Sequence, residues 1–338
     1  GVYYAPYSIV KKNNIRQSAG GSGYFYNYPL YYSNYAVVDS NTFVYLKSGT
    51  SGYLYNNGGS GGYAYYSDYV SVSGNTMQHL LPSASGYLYS GMFYYCNYGV
   101  CKNNNMMNYA GNTSSYLYGY WSYYGSNNTL DNNYIVDSCG YYTYLYNGYY
   151  SPNVTWSNNT HRMYSGTYYI YDYRNYYGAG GNRILNNNFY YTQGNSSYTT
   201  YNYMMYGVPN TQYVGNTIRA NVAGAYYGYT YQGSASYSNA KFANNDISVT
   251  STGGGTVYGL YFQYPNFDTI FNNVVSTATS GTNYTAYIYY PYGGLNHIYN
   301  NTFNSNATGG TNYTLYDYNP GSYSGTTKYT NNIISRMG

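Results

Sequence analysis

The chain has 338 residues, of which 6% are charged and 23% are aromatic, and its formal net charge is +4. Its 67 tyrosines and 41 glycines are joined by many Asn, Ser and Thr residues, and every acidic residue is aspartate. The Lys and Arg residues are scattered and form no phosphate-binding stripe, so we expect no nucleic-acid partner. No apolar run approaches the roughly 20 residues of a membrane-spanning helix, so we expect no membrane insertion.

Tyrosine content bears on whether this polar chain folds. Polar tracts with few aliphatic residues are often disordered, but tyrosine can bury a large ring while its hydroxyl stays hydrogen-bonded. We therefore expect a packed interior. Gly1 is not followed by a basic region and an apolar segment, which is typical of a mature chain. The low charge, the missing glutamate and the abundant Tyr and Asn favour an extracellular or cell-surface location.

In chain order, each repeat begins with a short apolar strand, continues through an asparagine corner and enters a second apolar strand. The corner asparagines recur at intervals of mostly about 28 or 29 residues. Asparagine suits a corner because it tolerates the left-handed αL conformation, and equivalent corners stacked about 4.8 Å apart can join their amides into a ladder. The predicted ladder consists of Asn13, Asn41, Asn75, Asn104, Asn133, Asn159, Asn187, Asn216, Asn245, Asn273, Asn301 and Asn332.

The two apolar columns flank that corner. Three residues before each asparagine the column runs from Val10 to Tyr329 and is apolar or aromatic throughout. Two residues after each asparagine it runs from Ile15 to Ile334, and only His161 interrupts it. Because the columns lie an odd number of residues apart, one continuous strand cannot put both on one face, so a corner must separate them.

A third element near the middle of each repeat alternates aliphatic residues with tyrosine. Period-two alternation between Gly-, Ser- and Asn-rich breaks predicts a strand with its aliphatic residue inward and its tyrosines outward. No segment has helical periodicity, so each repeat is expected to be a coil of short strands stacked on its neighbours. The segments include Tyr53-Leu54-Tyr55, Tyr87-Leu88-Tyr89, Tyr116-Leu117-Tyr118, Tyr144-Leu145-Tyr146, Tyr169-Ile170-Tyr171 and Tyr287-Ile288-Tyr289.

Motifs such as 296–303 (NHIYNNTF) and 267–275 (FDTIFNNVV) resemble the repeat of right-handed parallel β-helix proteins, the pectate-lyase-like group. The resemblance implies an all-β right-handed parallel β-helix, or β-solenoid, of about twelve coils with an asparagine ladder at one corner. We expect a single β-solenoid domain over residues 1–338. Tyrosine stands where that group often has Val or Ile, and the composition also resembles Tyr- and Asn-rich secreted proteins of archaea.

Catalytic and metal-binding side chains do not cluster in the predicted coils. Polysaccharide-cleaving proteins of this fold use paired carboxylates, or Asp-bound calcium with a basic residue. Asp39 and Asp131 share a phase but lie about three coils, or roughly 14 Å, apart, beyond the ~5 to 9.5 Å of a glycosidase pair. The other aspartates are expected to be scattered and solvated, and unfolding to depend weakly on pH. We therefore predict no catalytic residue, no cofactor and no metal, with His161 as a core histidine separate in phase from His79 and His297.

Cysteines and glycosylation motifs leave alternatives open. Cys101 is most simply a buried thiol, and a disulfide between two of Cys96, Cys101 and Cys139, with the pairing undetermined, is the competing interpretation. Asn-x-Ser/Thr motifs permit N-glycosylation. Its candidate sites are Asn112, Asn127, Asn153, Asn158, Asn195, Asn283, Asn306 and Asn312.

The remaining features concern association. The repeat signature extends from Asn13 to Asn332, so we expect strand edges at the solenoid ends and tyrosine on the outer wall, both of which favour association with copies of the same chain. We therefore expect the structural subunit of an extracellular homopolymer: a filament, tube or sheath. The alternative is a glycan-binding adhesin or spike, because exposed Tyr rows can stack on sugars. A polysaccharide lyase or hydrolase is third.

Overall fold

The computed structural model describes residues 2–27, 29–56, 63–178, 180–231, 239–266, 268–319, 321 and 325–337. Phe267, which begins one of the motifs quoted above, lies outside these ranges. Strands and turns make up all the described ranges, which contain no helix. This confirms the all-β right-handed parallel β-helix, with three parallel sheets and about 11 turns. The chain divides into two compact units, Gly1–Tyr168 and Tyr169–Gly338.

The first unit contains twenty strands in the described residues. They are β1 (Val2–Tyr3), β2 (Ile9–Lys11), β3 (Asn14–Ala19), β4 (Tyr24–Asn27), β5 (Leu30–Tyr31), β6 (Val37–Asp39), β7 (Thr42–Lys47), β8 (Ser51–Asn56), β9 (Ala64–Tyr65), β10 (Ser71–Ser73), β11 (Thr76–Leu81), β12 (Ser85–Tyr94), β13 (Val100–Lys102), β14 (Asn105–Ala110), β15 (Tyr116–Tyr123), β16 (Thr129–Asp131), β17 (Tyr134–Cys139), β18 (Tyr142–Tyr146), β19 (Thr155–Ser157) and β20 (Thr160–Ser165). Sheet A of this unit contains β1, β4, β5, β8, β9, β12, β15 and β18; sheet B contains β2, β6, β10, β13, β16 and β19; sheet C contains β3, β7, β11, β14, β17 and β20.

The second unit repeats this arrangement with one strand per sheet in each turn. Its strands are β21 (Ile170–Tyr173), β22 (Arg183–Leu185), β23 (Asn188–Gln193), β24 (Thr199–Tyr206), β25 (Gln212–Val214), β26 (Thr217–Val222), β27 (Ala225–Tyr231), β28 (Lys241–Ala243), β29 (Asp246–Ser251), β30 (Val257–Gln263), β31 (Thr269–Phe271), β32 (Val274–Thr279), β33 (Asn283–Tyr289), β34 (Leu295–Tyr299), β35 (Thr302–Ala307), β36 (Asn312–Tyr318), β37 (Thr326–Thr330) and β38 (Ile333–Met337). Every third strand from β21 belongs to sheet A, every third from β22 to sheet B, and every third from β23 to sheet C.

The core of each unit lies between the three sheets and is built from in-register columns. In sheet B of the first unit, Val38 pairs with Val72, which pairs with Cys101, and all three are at most 1% exposed. In sheet A, Leu54, Leu88 and Leu117 form the matching buried column, while the tyrosines beside them face outward. Because the parallel strands pair in register, equivalent residues of successive turns stack on one another. The repeated apolar positions therefore form a continuous interior.

Glycine is required where the sheet A strands β8 and β12 begin and approach each other closely. Gly52 and Gly86 pair in register with φ values of +142° and +152°. A Cβ added at Gly86 would lie 1.8 Å from the carbonyl oxygen of Gly52. Only glycine fits that contact and that backbone conformation, which explains the glycine before the Tyr-Leu-Tyr segments of these two turns.

At the corner between sheets B and C, two neighbouring residues have different roles. The residue before the ladder asparagine takes the left-handed conformation, as at Ser40, Asn103 and Asn244, with φ of 57°, 56° and 55°. The ladder asparagine follows with its side chain turned into the protein; Asn104 and Asn245 are 2% and 1% exposed. The doubled asparagines therefore combine one residue that permits the turn with one that bonds its neighbours.

Candidate functional site

The corner asparagines form a hydrogen-bonded ladder within each unit. Asn75 donates both its main-chain N–H and its Nδ2 to Asn104 Oδ1, at 2.9 and 3.0 Å. Asn104 donates in the same way to Asn133, with both distances 3.0 Å. The second hydrogen of Asn104 Nδ2 reaches the Val72 carbonyl of the preceding turn at 3.0 Å. One buried carboxamide thus joins three successive turns.

The second unit carries the same pattern from Asn187 through Asn332. Asn216 donates its N–H and Nδ2 to Asn245 Oδ1 at 2.9 and 3.1 Å, and Asn245 donates to Asn273 Oδ1 at 3.0 and 2.9 Å. Asn245 Nδ2 also bonds the Tyr213 carbonyl at 2.9 Å. Because a shift by one residue would break every rung, the ladder fixes the register of the strands on both sides.

Stacked tyrosines cover the outer face of sheet A in the first unit. One column joins Tyr24, Tyr53, Tyr87, Tyr116 and Tyr142, with ring centroids 4.7, 5.0, 4.8 and 5.2 Å apart and interplanar angles of at most 18°. A second column joins Tyr26, Tyr55, Tyr89, Tyr118 and Tyr144 at 5.2, 4.6, 5.0 and 5.1 Å. Neighbouring parallel strands set this spacing, so each ring presents its face to the next turn.

Two further tyrosine columns lie at the corner between sheets A and B of the first unit. Their members have positive φ, from 47° to 62°, which is uncommon for a bulky residue. Centroids along the columns are 4.8 to 5.3 Å apart and the rings are within 11° of parallel. These corner columns consist of Tyr4, Tyr32, Tyr66, Tyr95, Tyr124 and Tyr150, and of Tyr7, Tyr35, Tyr69 and Tyr98.

We call the sheet A columns and the corner columns of the first unit the tyrosine face. The strands of sheet A in this unit contain no Lys, Arg, Asp or Glu in their sequences. Exposure within the face is greatest at the corner residues Tyr4 and Tyr7, at 69% and 71%, and is 58% at Tyr24 of sheet A and 41% at the corner residue Tyr124. The sheet A strands therefore present uncharged phenol groups, each able to donate and to accept a hydrogen bond. The corner holds one carboxylate, Asp68, whose Oδ1 accepts from the Asn97 N–H and Nδ2 at 2.7 and 3.1 Å.

The second unit has its own tyrosine columns on sheet A. Tyr171 stacks on Tyr201 at 5.0 Å, and Tyr173 stacks on Tyr203 at 4.9 Å. The columns continue to Tyr313 and Tyr316, with several tilted pairs and two shifts of register in the strand pairing. Tyrosine stacking is therefore a feature of sheet A in both units, and it is most regular in the first.

Several phenols of these surfaces resist ionisation. Burial, reinforced by neighbouring phenols, raises the pKa of Tyr55, Tyr94 and Tyr118 to about 12 in the first unit. In the second unit the same causes raise the pKa of Tyr229 and Tyr258 to about 12. Neutral phenol is therefore the form of these side chains over the physiological range.

The expectation that the aspartates are scattered and solvated is wrong for three of them. Asp137 and Asp172 have no exposed surface and Asp268 is 2% exposed. Asp172 is ion-paired with the buried Arg174, whose guanidinium carbon lies 3.6 Å from the centroid of the Phe189 ring. Each of the three lies at an inward position of its strand or turn.

The two histidines of the first unit, His79 and His161, are linked by a buried chain of polar side chains. A comparison of equivalent positions in the repeats did not predict this link. His79 Nδ1 donates to Asn108 Oδ1 at 2.8 Å, and Asn108 Nδ2 donates to Asp137 Oδ1 at 2.7 Å. His161 Nε2 lies 2.7 Å from Asp137 Oδ2. Asp137 pairs in register with Met163 rather than with His161, so the contact is diagonal. A carboxylate can orient an imidazole as a base, but all four side chains here are buried, at most 3% exposed.

The three cysteines are free thiols in the structure, and all are buried. Cys101 lies in the apolar column of sheet B, in contact with Asn104 Nδ2 at 3.3 Å. Burial raises the pKa of Cys96 and of Cys139 to about 12. Such thiols are poor nucleophiles and poor metal ligands.

The glycosylation candidates differ in accessibility. Asn153, Asn158 and Asn306 are exposed, and Asn112, Asn127 and Asn195 are half-buried. Asn283 and Asn312 are 0% and 8% exposed and bond to each other at 3.1 Å inside sheet A of the second unit. The prediction of these two positions as glycosylation sites is wrong for the folded chain, because strand alternation turns both side chains inward.

Across the described ranges, no group of three or more His, Cys, Asp or Glu side chains is placed to hold a metal ion, and no helix has the length and apolarity to span a membrane. No protein-family model, curated protein or solved structure matches the chain. The tyrosine face is thus the candidate site, and its interpretation depends on its own geometry.

Proposed function

We propose that this protein is the structural subunit of an extracellular homopolymer, a filament, tube or sheath, in which copies associate through their tyrosine faces. The observation that carries the proposal is the stacked arrangement of neutral tyrosines on sheet A and its corner. A phenol both donates and accepts, so two copies of this surface are complementary to each other without any matching charge. Large exposed aromatic surfaces are also typical of association sites. Contact between solenoid ends remains a second way in which copies can join.

The stacking itself favours a protein partner over a sugar. A carbohydrate ring binds an aromatic side chain by lying on its flat face. Tyr87 has Tyr53 on one face at 5.0 Å and Tyr116 on the other at 4.8 Å, so both faces are occupied. Ring edges and hydroxyl groups are what the columns present to solvent, and these suit contact with another ridged surface of the same kind.

The arrangement of the ionisable groups supports a structural role rather than catalysis. The Asp137–His161 pair is enclosed by the core, and Asp172 is held by Arg174. A pectate-lyase-like enzyme would need carboxylates at a solvent-filled groove, close enough to act on one bond. A non-enzymatic form of that fold is therefore part of the proposal.

Sedimentation velocity, with electron microscopy of the same samples, tests the proposal. The double variant Tyr87→Lys, Tyr118→Lys places two cations in the face, and burying them unpaired in a contact should raise the concentration needed for assembly at least about tenfold, or 1.4 kcal/mol. The matched control is Tyr134→Lys, Tyr164→Lys, which lies on the outer side of sheet C. Persistent monomers of the wild-type chain, or equal loss in both variants, would overturn the tyrosine-face contact.

A glycan-binding adhesin is the second candidate, and one groove of the second unit favours it. The groove lies on sheet C and its polar lining is uncharged, which suits a hydroxyl-rich ligand. Binding on a glycan array that is lost in Asn304→Ala, without any polymer of the wild-type chain, would support this candidate against the first. The outward side chains of the groove are Ser248, Thr250, Ser276, Ala278, Asn304 and Asn306.

A further inference from the structure

We propose that one outer column of sheet B in the second unit binds a linear acidic polysaccharide that carries a carboxylate on alternate sugars. The site is separate from the tyrosine face, and the inference does not depend on association between copies. Its residues are far apart in the sequence, and strand pairing brings them into one line, with one residue in each turn. This basic column consists of Arg183, Gln212, Lys241, Thr269, His297 and Lys328.

The cations of the basic column have no counter-ion within the part of the chain that the structure describes. Arg183, Lys241 and Lys328 are exposed, and none of the three is ion-paired with an aspartate. The sheet B strands of the second unit contain no Asp or Glu in their sequences. The column is therefore a line of unpaired positive charge, which favours an anionic partner.

The aspartates of the second unit do not neutralise this line. Its two exposed aspartates have other partners, since Asp246 is ion-paired with Arg219 and Asp317 accepts a hydrogen bond from the Tyr329 hydroxyl at 2.6 Å. The remaining aspartates of this unit are buried. Counter-charge for the basic column must therefore come from another molecule.

Sheet B of the first unit is different, because its charges cancel. One outer column there includes Lys11, Asp39, Lys102 and Asp131, and Lys11 Nζ lies 3.7 Å from Asp39 Oδ2. No column of the first unit is acidic, so a second copy offers no surface that would match the basic column. The first-unit column at the position of the basic column is uncharged and consists of Ile9, Val37, Ser71, Val100, Thr129 and Thr155. The fold itself therefore does not require cations at this position.

Charged and neutral hydrogen-bonding groups alternate along the basic column. Arg183 and Lys241 lie two turns, or roughly 10 Å, apart with Gln212 between them, and Thr269 separates Lys241 from His297 in the same way. A spacing of two turns is comparable to the length of a disaccharide in an extended polysaccharide. A carboxylate on every second sugar can then bind each cation or the imidazole, while the hydroxyls of the sugars between them bond to the neutral side chains.

The shape of the site favours a polysaccharide over a membrane or a nucleic acid. The basic column is one residue wide, and the next outward column contains apolar residues such as Val214 and Phe271, whereas an anionic membrane attracts a broad basic cluster. A single-stranded nucleic acid needs aromatic faces on which its bases stack. Phe271 offers none, because Lys241 Nζ lies over its ring at 5.3 Å and Tyr299 stacks on it at 5.0 Å and 2°.

Isothermal titration calorimetry at low salt, with hyaluronan oligosaccharides long enough to span the column, tests the inference. Hyaluronan carries a carboxylate on alternate sugars, and the same oligosaccharide with its carboxylates reduced to alcohols is the uncharged control ligand. The wild-type chain should bind hyaluronan and should not bind the reduced form. Added salt should weaken the binding, because the cations are exposed to solvent.

The variant Arg183→Gln, Lys241→Gln, Lys328→Gln removes three cations from the basic column, and its Kd for hyaluronan should be at least about tenfold higher than that of the wild type. The matched control is Lys11→Gln, Arg16→Gln, Lys102→Gln, which removes the same charge from exposed positions of the first unit and should bind like wild type. Because all the changed side chains are exposed, both variants should keep the circular dichroism of the wild type.

Three results would overturn the inference: no binding of hyaluronan at low salt, equal binding of the reduced form, or equal loss of affinity in the two variants. Tighter binding of single-stranded DNA, or of phosphatidylglycerol vesicles, through the same three cations would also overturn it, because the partner would then belong to another class. None of these results bears on association through the tyrosine face, which sedimentation velocity measures separately. A chain that binds hyaluronan through the basic column and stays monomeric would support this inference and contradict the homopolymer.

Discussion

At the residue scale, each ladder asparagine satisfies buried polar groups in the turns on both sides of it. Asn245 Oδ1 accepts the N–H and the Nδ2 of Asn216, and Asn245 Nδ2 donates to the Tyr213 carbonyl. Leaving such groups without partners in the interior costs more than the bonds contribute on average, because the desolvation penalty is then uncompensated. The ladder is therefore expected to matter for stability out of proportion to its size.

Asn245→Ala tests this expectation. It should lower the free energy of unfolding by about 3 kcal/mol, because it leaves a buried N–H, a buried amide and a buried carbonyl unpaired. The adjacent Asp246→Ala is the control, since Asp246 is exposed and its surface pair with Arg219 should contribute less than about 1 kcal/mol. Urea unfolding of the three proteins gives both values, and a similar small loss in both variants would contradict the role of the ladder.

Asp268 gives the chain a pH dependence that the low content of ionisable groups did not lead us to expect. Burial raises the pKa of its carboxyl to about 8, although the Ala240 N–H donates to Oδ1 at 3.2 Å. The folded chain therefore holds a proton that the unfolded chain releases above about pH 4. Its contribution to stability is fully present below that pH and is lost as the pH rises through about 8.

Asp268→Asn should remove this dependence because a carboxamide does not titrate. The difference in unfolding free energy between variant and wild type should be small below pH 4 and should grow in favour of the variant up to about pH 8. Burial lowers the pKa of His79 to about 4, so its contribution to stability rises with pH. This contribution is the same in both proteins and cancels in the difference between their unfolding free energies. The measurement is the urea midpoint of each protein across this pH range. Parallel profiles for the two proteins would refute the assignment of this pH dependence to Asp268.

The sequence pattern predicts the roles of some of these residues and not of others, for physical reasons. The spacing of asparagines and apolar columns predicted the fold, since in-register stacking of parallel turns preserves any periodic pattern. Spacing could not reveal the diagonal contact between Asp137 and His161, because it compares only equivalent positions. It also missed the corner columns, because tyrosine is not a usual residue for the left-handed conformation that Tyr66 and Tyr69 adopt.

At the element scale, the tyrosine columns of sheet A behave as rows of coupled phenols. Ionising one ring places a negative charge about 5 Å from its neighbours, as between Tyr89 and Tyr118. Burial and this repulsion both act against the phenolate, and the pKa of Tyr118 is raised to about 12. A surface of this kind keeps its hydrogen-bond donors in any mildly alkaline medium.

Alkaline titration should show the phenols with raised pKa, among them Tyr94 and Tyr118, as a late transition. The folded-state pKa lies above the ordinary value of 10, so the stability due to neutral phenols is complete below pH 10 and is lost as the pH rises through about 12. Phenolate absorbance of the native chain should therefore lag behind that of the same chain in denaturant and should rise together with loss of the β-sheet circular dichroism. Coincident titration curves in the two media would contradict the stacked columns.

At the scale of the whole molecule, the fold turns a sequence repeat into surfaces of different character. Sheet A carries tyrosine columns, the corner between sheets B and C carries the asparagine ladder, and the outer side of sheet C in the second unit carries Ser, Thr and Asn. In the first unit, the glycosylation candidates Asn112 and Asn158 lie outside sheet A and its corner, whereas Asn127 and Asn153 lie at the corner between sheets A and B with positive φ, in the positions that follow Tyr98 in its column. Glycans at Asn112 and Asn158 would leave the tyrosine face uncovered, whereas glycans at Asn127 or Asn153 would stand at its corner.

Cryo-electron microscopy of the purified chain at high concentration tests the central claim most directly, because it locates the contact as well as the polymer. The account predicts ordered assemblies in which the tyrosine face of one copy lies against another copy, with Tyr66, Tyr95 and Tyr124 buried at the contact. Assemblies in which these rings face solvent, or a chain that stays monomeric, would contradict it.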